Sequence, residues 1–457
     1  MFLSKDEIAA WTTPSVTGTG VDLRTPLRNA LSEHGQLSEG QTAGRFYPMA
    51  CVALEITQRC NLDCTLCYLS DHAEMAHDIP LPVLFRRIDA VADHYGEATT
   101  IQITGGDPTL RSPEHLEQLC RYIRGKKLRS CLMTNGIKAS EALLKRLAAA
   151  GLDDVAFHVD LTQERRGYPT EVSLNEFRES YIARGRSAGL RILFNTTVFG
   201  GNVEELPEIA AFFKSQAEHV TMASFQMEAM TGRGVVRDRT TGLTRDRIEK
   251  LLDRGFGTKL NFDVAAIGHG DCTRFGTLLV AGDQGVTALD NNSLFAELLA
   301  HLEKYDLRDR PTMRIAPALL RALGRHPVFA LRVLGFLTSR LWHLRRGLVA
   351  SRGRVHRMSV LLHNFMDAKQ LEQDRCASCV FMVATERGPV SMCVHNARRD
   401  AELFAPVRMD TKDGPQWWSA KTGRVGPTPE FGLPVTTPFK KLKGHLRSQA
   451  NDERKKG

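Results

Sequence analysis

The most informative stretch of the sequence is Val52-Ala-Leu-Glu-Ile-Thr-Gln-Arg-Cys-Asn-Leu-Asp-Cys-Thr-Leu-Cys-Tyr68. It begins with an apolar run typical of a buried strand, and three cysteines follow at Cys60, Cys64 and Cys67. Three thiolates this close together can ligate three irons of a four-iron cluster and leave the fourth iron open to a small molecule. A structural zinc site is the alternative, although zinc usually takes four protein ligands from paired Cys-x2-Cys knuckles.

The spacing of these cysteines, directly after an apolar strand, resembles the signature of the radical S-adenosylmethionine (SAM) superfamily. The resemblance implies an α/β fold, a partial (β/α)6 TIM-like barrel, with a SAM-binding 4Fe-4S cluster on the cysteine loop. One-electron reduction by a donor such as ferredoxin or flavodoxin would release a 5′-deoxyadenosyl radical from SAM. That radical would abstract hydrogen from an unactivated carbon.

A second motif follows the strand-like run Thr99–Thr104. It consists of Gly105, Gly106, Asp107 and Pro108. The motif resembles the superfamily's Gly-Gly-Glu-Pro sequence, which binds the amino group of SAM, and glycines let a backbone approach a ligand closely. Asp107 replaces the usual glutamate with a shorter anion, so the role carried over from the family rests mainly on the backbone.

Apolar runs alternate with helix-like stretches beyond this motif. Strand-like runs at Arg129–Thr134, Asp154–Asp160 and Arg191–Val198 are separated by helix-like stretches such as Pro113–Lys127 and Ala139–Ala150. This alternation predicts parallel strands with right-handed crossovers and ligands at the carboxyl ends of the strands. By the family resemblance, polar residues at those ends line the SAM pocket, and strand-end capping is their alternative role. They are Asn135, His158, Asp160 and Asn195.

The length of 457 residues exceeds one domain, and the apolar fraction of 42% is ordinary for a globular protein. We expect four parts: an N-terminal lead segment at 1–49, the barrel at 50–230, an α+β auxiliary-cluster and substrate region at 231–400, and a C-terminal extension with a basic tail at 401–457.

The remaining seven cysteines fall into two groups. Three lie at apolar strand or helix positions and are expected to be buried thiols: Cys51, Cys120 and Cys131. Four form a candidate second metal site: Cys272, Cys376, Cys379 and Cys393. A hairpin over 381–393 would return the last cysteine to the Cys-x2-Cys knuckle, and the spacing resembles the auxiliary-cluster (SPASM or twitch-like) regions of radical SAM enzymes. A second 4Fe-4S cluster is expected there, with four-thiolate zinc as the alternative.

The segment 310–357 contains many arginines and no Asp or Glu, with apolar residues between the arginines. The pattern predicts amphipathic helices broken near Gly324 and Pro327, too rich in arginine to span a bilayer. Such helices can lie on a membrane, where arginine binds phosphate and the apolar face accepts acyl chains. A basic solvated helical pair packed on the barrel is the alternative. The net charge of +9 and the lysine-rich tail would favour any polyanion.

The order of motifs sharpens the resemblance. The Gly-Gly-Asp-Pro motif, Cys272 in a His-x-x-Cys turn, His363–Asp367 and the stretch 376–396 look like the archaeal tetraether synthase and pterin-methylase-like branch of the superfamily. That branch implies a transferase that forms carbon–carbon bonds or methylates a lipid or another apolar-chain or small-molecule substrate. The chain lacks cysteines before Cys51, so a rubredoxin-like N-terminal iron site is absent, and a related rather than identical reaction is expected.

Two other hypotheses for the function remain open. A peptide-maturing radical SAM enzyme with an auxiliary cluster usually carries a winged peptide-binding domain before its barrel, and residues 1–50 are too short for one. A non-catalytic zinc protein that binds membrane or nucleic acid is the other, although no recognisable nucleic-acid module accompanies the basic segments, so nucleic acid is not the expected partner. The polar N-terminus differs from a secretory signal, which predicts a cytoplasmic protein with peripheral contact to the inner membrane face.

Overall fold

Six parallel strands in chain order form the centre of the computed structural model, which describes residues 1–11, 51–234, 236, 238–264, 267–288, 290–302, 312–412 and 414–434. These central strands are β1 Cys51–Thr57, β2 Thr100–Gly105, β3 Arg129–Thr134, β4 Asp154–His158, β5 Arg191–Val198 and β6 Val220–Met227. The predicted α/β partial barrel is thereby confirmed. Most of the predicted lead segment at 1–49, and the lysine-rich tail, lie outside the described residues.

Helices follow the strands, as the alternating sequence pattern predicts. In chain order the described α-helices are α1 Lys5–Ala10, α2 Leu81–Tyr95, α3 Pro113–Gly125, α4 Glu141–Ala150, α5 Asn175–Ser187, α6 Leu206–Ser215, α7 Arg245–Phe256, α8 Asn292–Leu302, α9 Thr312–Arg325, α10 Pro327–His343, α11 Arg345–Ala350, α12 Gln373–Ala377, α13 Met392–Ala397 and α14 Arg399–Leu403. None of these described helices is both long enough and apolar enough to cross a membrane.

The period of two along each strand separates the core from the barrel interior. On β1, Val52, Leu54 and Ile56 are fully buried in the main apolar core, which they share with the inward faces of the flanking helices. The alternate residues Ala53 and Glu55 point into the barrel. Each fully buried aliphatic side chain contributes about 1.5–3 kcal/mol to folding, so the outer layer of helices fixes the barrel.

The region after residue 231 extends the same sheet at both edges. At one edge β9, His356–Asn364, pairs in parallel with β6, and the antiparallel hairpin of β7, Thr273–Ala281, and β8, Gln284–Thr287, pairs with β9. At the other edge β10, Phe381–Thr385, pairs in parallel with β1 and in antiparallel with β11, Gly388–Ser391. The hairpin predicted over 381–393 is thus present and docked beside the strand that precedes the cysteine loop.

A small sheet ends the described chain. Its strands are β12 Val407–Thr411, β13 Gly414–Trp418 and β14 Val425–Gly426. Its buried residues Val407 and Trp418 belong to the main core.

Helices α8 to α11 form a helical unit inserted between β8 and β9. The break predicted near Gly324 and Pro327 is where α9 ends and α10 begins. Phe329 of α10 is buried, and its ring lies 4.7 Å from that of His301 on α8. Arg332 pairs with Glu297, and Arg340 pairs with Asp290, so these two arginines hold α10 against neighbouring protein.

Candidate functional site

The three cysteines of the β1 loop lie together on one large cavity inside the barrel. Cys60, Cys64 and Cys67 form no disulfide, are half-buried and line this barrel cavity, whose volume is about 1090 Å³. The pKa of Cys60 is raised to about 11, chiefly by burial, and the Asp107 carboxylate and the Cys67 thiol act in the same direction. Thiols in this condition release their protons when a metal binds, because the metal stabilises the thiolate. Three grouped thiols that face a cavity fit three irons of a four-iron cluster.

A short segment after β6 clamps the cysteine loop. The backbone NH of Arg233 donates to the Leu69 carbonyl at 2.8 Å, and the NH of Gly234 donates to the Cys67 carbonyl at 3.2 Å. A Cβ on Gly232 would lie 2.4 Å from the Tyr68 carbonyl carbon, so only glycine permits this approach. Burial works against the charge of Arg233, but the Cys67 thiol beside it raises the pKa of the guanidinium. Sequence reasoning missed this Gly-Arg-Gly segment, whose signal is a Gly-x-Gly directly after the last barrel strand.

The two glycines of the Gly-Gly-Asp-Pro motif are required by the same loop. Gly105 has a φ of 129°, and a Cβ there would lie 2.0 Å from the Thr57 carbonyl oxygen. A Cβ on Gly106 would lie 2.1 Å from the Arg59 carbonyl oxygen. Both glycines line the barrel cavity next to the cysteines. The structure therefore places this backbone against the cysteine loop and on the same cavity.

Asp107 points away from the cavity. Its carboxylate is fully buried and accepts hydrogen bonds from the backbone NH of Asn135 at 2.9 Å and from the hydroxyl of Thr134 at 2.9 Å. It also accepts from the backbone NH of Thr109 at 3.0 Å, within its own turn. The short side chain thus ties the motif to the end of β3. Among the described residues Asp107 and Pro108 do not line the cavity, so Asp107 positions the backbone that does.

Asn135 and His158 line the barrel cavity at the carboxyl ends of β3 and β4, and Asn195 lines it from within β5. Asp160 lies behind them, fully buried, with its Oδ2 2.7 Å from Nε2 of His158. Burial disfavours the imidazolium, but Asp160 outweighs it and raises the pKa of His158. The pKa of Asp160 falls to about 2 against the effect of its own burial, chiefly because of His158. Asp160 thus orients the cavity residue His158 and favours its protonated form.

A buried ion pair joins the C-terminal region to the cysteine loop, and sequence reasoning missed it. Arg399 of α14 donates from Nη1 to both carboxylate oxygens of Glu55, at 2.7 and 2.9 Å. The guanidinium carbon also lies 4.7 Å from the ring centroid of Tyr68, whose hydroxyl donates to the Gly105 carbonyl at 2.5 Å. All four residues line the barrel cavity. The available signal was a glutamate at a position inside an apolar strand.

The structure also brings together the four cysteines of the candidate second site. Burial raises the pKa of Cys376 to about 12, with the Cys379 and Cys272 thiols next in effect, and Cys393 responds to all three. The Nε of Arg375 donates to the Cys272 sulfur at 3.2 Å. Four buried or half-buried thiols beside one cation form a donor set that fits a metal centre. Among the described residues, no three or more His, Cys, Asp or Glu side chains are arranged so that they could hold a single metal ion.

The three cysteines predicted to be buried are buried: Cys51, Cys120 and Cys131. Two of them, Cys51 and Cys131, have their side chains on the barrel cavity, while Cys120 packs in the outer core. The strand pattern explains the difference, because Cys51 and Cys131 occupy inward-facing positions near the amino ends of β1 and β3.

The barrel cavity runs the length of the barrel. It begins at the cysteine loop and continues to the amino ends of the strands, where Arg129, Asp154 and Arg191 line it. Phe295, on α8 of the helical unit, lines the same cavity. Strands of five to eight residues at about 3.3 Å per residue give it a length of about 20 Å. A cavity of this length can hold an extended chain with one end near the cysteines.

Comparison with known proteins agrees with this geometry. Residues 54–213 match the family model described as the Radical SAM superfamily. PqqA peptide cyclase from Xanthomonas euvesicatoria is 30% identical over 192 residues, which cover 40% of this chain and 49% of that protein. Fe-coproporphyrin III synthase from Methanosarcina barkeri is 27% identical over 213 residues, 44% of this chain and 51% of that protein.

Among solved structures, Streptococcus suis SuiB bound to the precursor peptide SuiA is similar, with a TM-score of 0.37 and 13% identity over 53% of this chain and 54% of that chain. The chain spans about half the length of the two relatives it matches in sequence. Neither relative is named as a tetraether synthase, so that branch stays a prediction. The cysteine loop and the glycine motif both lie within residues 54–213, the part of the chain that is similar to the radical SAM superfamily.

Proposed function

We propose that the protein is a radical SAM enzyme that removes a hydrogen atom from an unactivated carbon of a lipid or other apolar-chain substrate, leading to carbon–carbon bond formation or methylation. The observation that carries the proposal is the barrel cavity, which joins the cysteine loop to the helical unit. The shape suits an extended chain more than a compact molecule. Apolar side chains along it include Ala53, Met133, Ala156, Leu193, Met222, Phe275, Leu361 and Phe295.

The residues at the carboxyl end of the barrel would hold the cofactors. A 4Fe-4S cluster on Cys60, Cys64 and Cys67 with bound SAM supplies a 5′-deoxyadenosyl radical when an electron arrives. The backbone at Gly105 and Gly106 lies beside this loop and would receive the amino group of SAM. The cavity-facing polar residues then bind and orient the rest: Asn135, His158 supported by Asp160, and Asn195.

The second group of cysteines would hold a second 4Fe-4S cluster. Cys272, Cys376, Cys379 and Cys393 supply four sulfur donors, and β10, which follows the knuckle, pairs directly with β1, which precedes the first cysteine loop. This arrangement suits passage of electrons from a ferredoxin or flavodoxin toward the barrel. Zinc in the same four-thiolate site is the alternative occupant.

A peptide substrate is the second candidate. The relative from Xanthomonas is named as a peptide cyclase and is 30% identical to this chain over 192 residues. Polar cavity residues such as Gln102 and Gln226 could bind peptide amides. The two candidates differ in which material stimulates SAM cleavage.

An experiment on SAM cleavage distinguishes the lipid hypothesis from the peptide hypothesis. Anaerobically reconstituted enzyme is incubated with dithionite, SAM and either a bacterial lipid extract or a peptide fraction, and 5′-deoxyadenosine is quantified. Stimulation by the lipid extract alone supports the proposal, and stimulation by the peptide fraction alone contradicts it. In Ala156→Phe a large ring enters the middle of the cavity, and we expect substrate-dependent cleavage to be lost while basal cleavage remains. The matched control is Ala142→Phe, at an exposed position of α4.

A further inference from the structure

Helix α10 is apolar on both of its faces, although one face is exposed. The inner face packs on the protein through the buried Phe329 and the half-buried Val333 and Phe336. The outer face consists of exposed apolar side chains: Val328, Leu331, Leu334, Leu337, Leu341 and Trp342. Leu331 is 69% exposed and Trp342 is 67% exposed. A helix that is apolar all round is normally covered on all sides, so this face requires a partner.

The charges around the outer face indicate the chemistry of that partner. The segment 310–357 contains no acidic residue. Arg332 and Arg340 are paired with Glu297 and Asp290 on the inner side, which leaves Arg345 and Arg346 exposed at the end of the face. The Arg345 guanidinium lies 4.5 Å from the Trp342 ring centroid, so a cation and an indole are presented together. Arginine, tryptophan and leucine on one helix surface suit a bilayer interface with anionic headgroups.

We propose that the outer face of α10 docks on the surface of an anionic phospholipid bilayer, with the helix lying in the plane of the interface. A helix of 17 residues at about 1.5 Å per residue is about 25 Å long and can lie along the interface over its whole length. Indole rings settle at the headgroup level, and arginines at the helix end contact lipid phosphates.

A second copy of the chain fits the same face less well. In a symmetric dimer the face would meet itself, because a two-fold axis brings the same patch of both subunits together. Arg345 and Arg346 would then lie against the same helical segment of the other copy, and the segment 310–357 offers no carboxylate to neutralise them. An anionic bilayer supplies the opposite charge over the whole area.

Docking in this position would place one end of the barrel cavity near the lipid. Phe295 lines the cavity and belongs to α8, the helix that Arg332 of α10 contacts through Glu297 and Ser293. An apolar chain leaving the bilayer would therefore have a short path to the cavity. The docking itself rests on the outer face alone, so it is tested separately from the reaction.

Vesicle sedimentation of the full chain tests the proposal. Vesicles of phosphatidylcholine alone are compared with vesicles of equimolar phosphatidylcholine and phosphatidylglycerol. We expect the protein to sediment with the anionic vesicles and to be released by salt, because the charge contribution is screened. In Leu331→Glu/Trp342→Glu, binding should fall by more than about tenfold, since two large apolar side chains no longer enter the interface.

Two matched variants make the result specific. Val425→Glu/Phe431→Glu adds the same charges at exposed apolar positions away from the helical unit and should bind vesicles as the wild type does. Arg345→Gln/Arg346→Gln should reduce binding to the anionic vesicles, whereas Arg387→Gln/Arg424→Gln, at other exposed positions, should not. Thermal melting of each variant confirms that it is folded.

Three results would overturn the docking proposal. The first is no sedimentation of the wild type with anionic vesicles. The second is equal binding by the wild type and the Leu331→Glu/Trp342→Glu variant, or an equal loss in the Val425→Glu/Phe431→Glu control. The third is a dimer, detected by light scattering, that Leu331→Glu/Trp342→Glu dissociates while no form of the protein binds vesicles. Repeating the assay on protein with Cys60, Cys64 and Cys67 replaced by alanine separates docking from catalysis, since docking should persist.

Discussion

Arg399 and Glu55, 344 residues apart in the sequence, form a buried ion pair on the wall of the barrel cavity. Glu55 sits on β1, just before the cysteine loop, and Arg399 begins α14, after the second group of cysteines. Burial alone would raise the pKa of Glu55, but Arg399 outweighs it and lowers that pKa to about 2. The pair fastens the auxiliary region to the barrel at the point where Tyr68 contacts the glycine motif.

Replacing Arg399 by glutamine should destabilise the protein strongly at neutral pH. A buried carboxylate that loses its partner costs about 3–5 kcal/mol. In the wild type, the folded pKa of Glu55 lies below its unfolded value of 4.5, so its contribution is complete above pH 4.5 and is lost as the pH falls toward 2. In the variant, burial raises the pKa, so the deficit should shrink as the pH falls from 7 to 4.

Urea unfolding at a series of pH values measures this difference, with the exposed Arg408→Gln as control. A deficit that is the same at pH 7 and pH 4 would show that Arg399 stabilises the fold without acting on Glu55.

His158 should lose its high pKa when Asp160 becomes asparagine. Burial disfavours the imidazolium, and the Asp160 carboxylate 2.7 Å away is the main opposing influence. Without that charge, burial should bring the pKa of His158 below 6.5. The stability that the charged pair provides is present at low pH and is lost as the pH rises through the raised folded pKa. NMR titration of the histidine ring carbons, with the signal assigned from His158→Gln, measures the change, and an unaltered pKa in Asp160→Asn would contradict the assignment.

Alanine at Gly106 should damage the cysteine loop, whereas alanine at Gly125 should not. The new methyl group at Gly106 would lie 2.1 Å from the Arg59 carbonyl oxygen, and strained packing of this kind costs about 1–3 kcal/mol. Gly125 lies at the end of α3 with nothing within 4 Å of the added carbon, so stability should stay level or rise. Melting temperatures and iron content after reconstitution report both effects. Equal behaviour of the two variants would remove the argument that the glycine motif is shaped by the loop.

The second cysteine group should bind metal independently of the first. In Cys376→Ala/Cys379→Ala, iron should fall from about eight to about four atoms per chain, because each 4Fe-4S cluster carries four irons. SAM cleavage with dithionite should continue, since Cys60, Cys64 and Cys67 are unchanged. Cys120→Ala, which removes a buried thiol of the outer core, is the matched control and should keep all the iron. If the wild type holds about four irons and one zinc, and the variant loses the zinc, the second site is a four-thiolate zinc site.

The barrel and both cysteine groups could be predicted from sequence because their signals are local. Apolar runs separated by helical stretches predicted β1 to β5, and the hairpin of β10 and β11 followed from its turn residues. Cys60, Cys64 and Cys67 are neighbours in the chain, so spacing alone brings them together. The second group needed the hairpin as well, and the structure shows that this hairpin exists.

Other features depend on contacts that spacing does not reveal. The Arg399–Glu55 pair joins distant parts of the chain, and the Gly232–Gly234 clamp depends on how the segment after β6 crosses the cysteine loop. Asp107 was expected to take part in the SAM site, but its short side chain satisfies its own turn and β3 instead. Composition could not show that Arg332 and Arg340 of α10 form ion pairs whereas Arg345 and Arg346 of α11 are exposed, because that division depends on which helix face meets Glu297 and Asp290.

The most direct test of the radical SAM proposal is anaerobic reconstitution followed by iron and sulfide analysis and measurement of SAM cleavage. Wild-type protein and a Cys60→Ala/Cys64→Ala/Cys67→Ala variant are compared under dithionite. We expect 5′-deoxyadenosine from the wild type alone, together with about eight irons per chain in the wild type and about four in the variant. If the wild type holds zinc in its cysteine sites and does not cleave SAM, the protein is not a radical SAM enzyme.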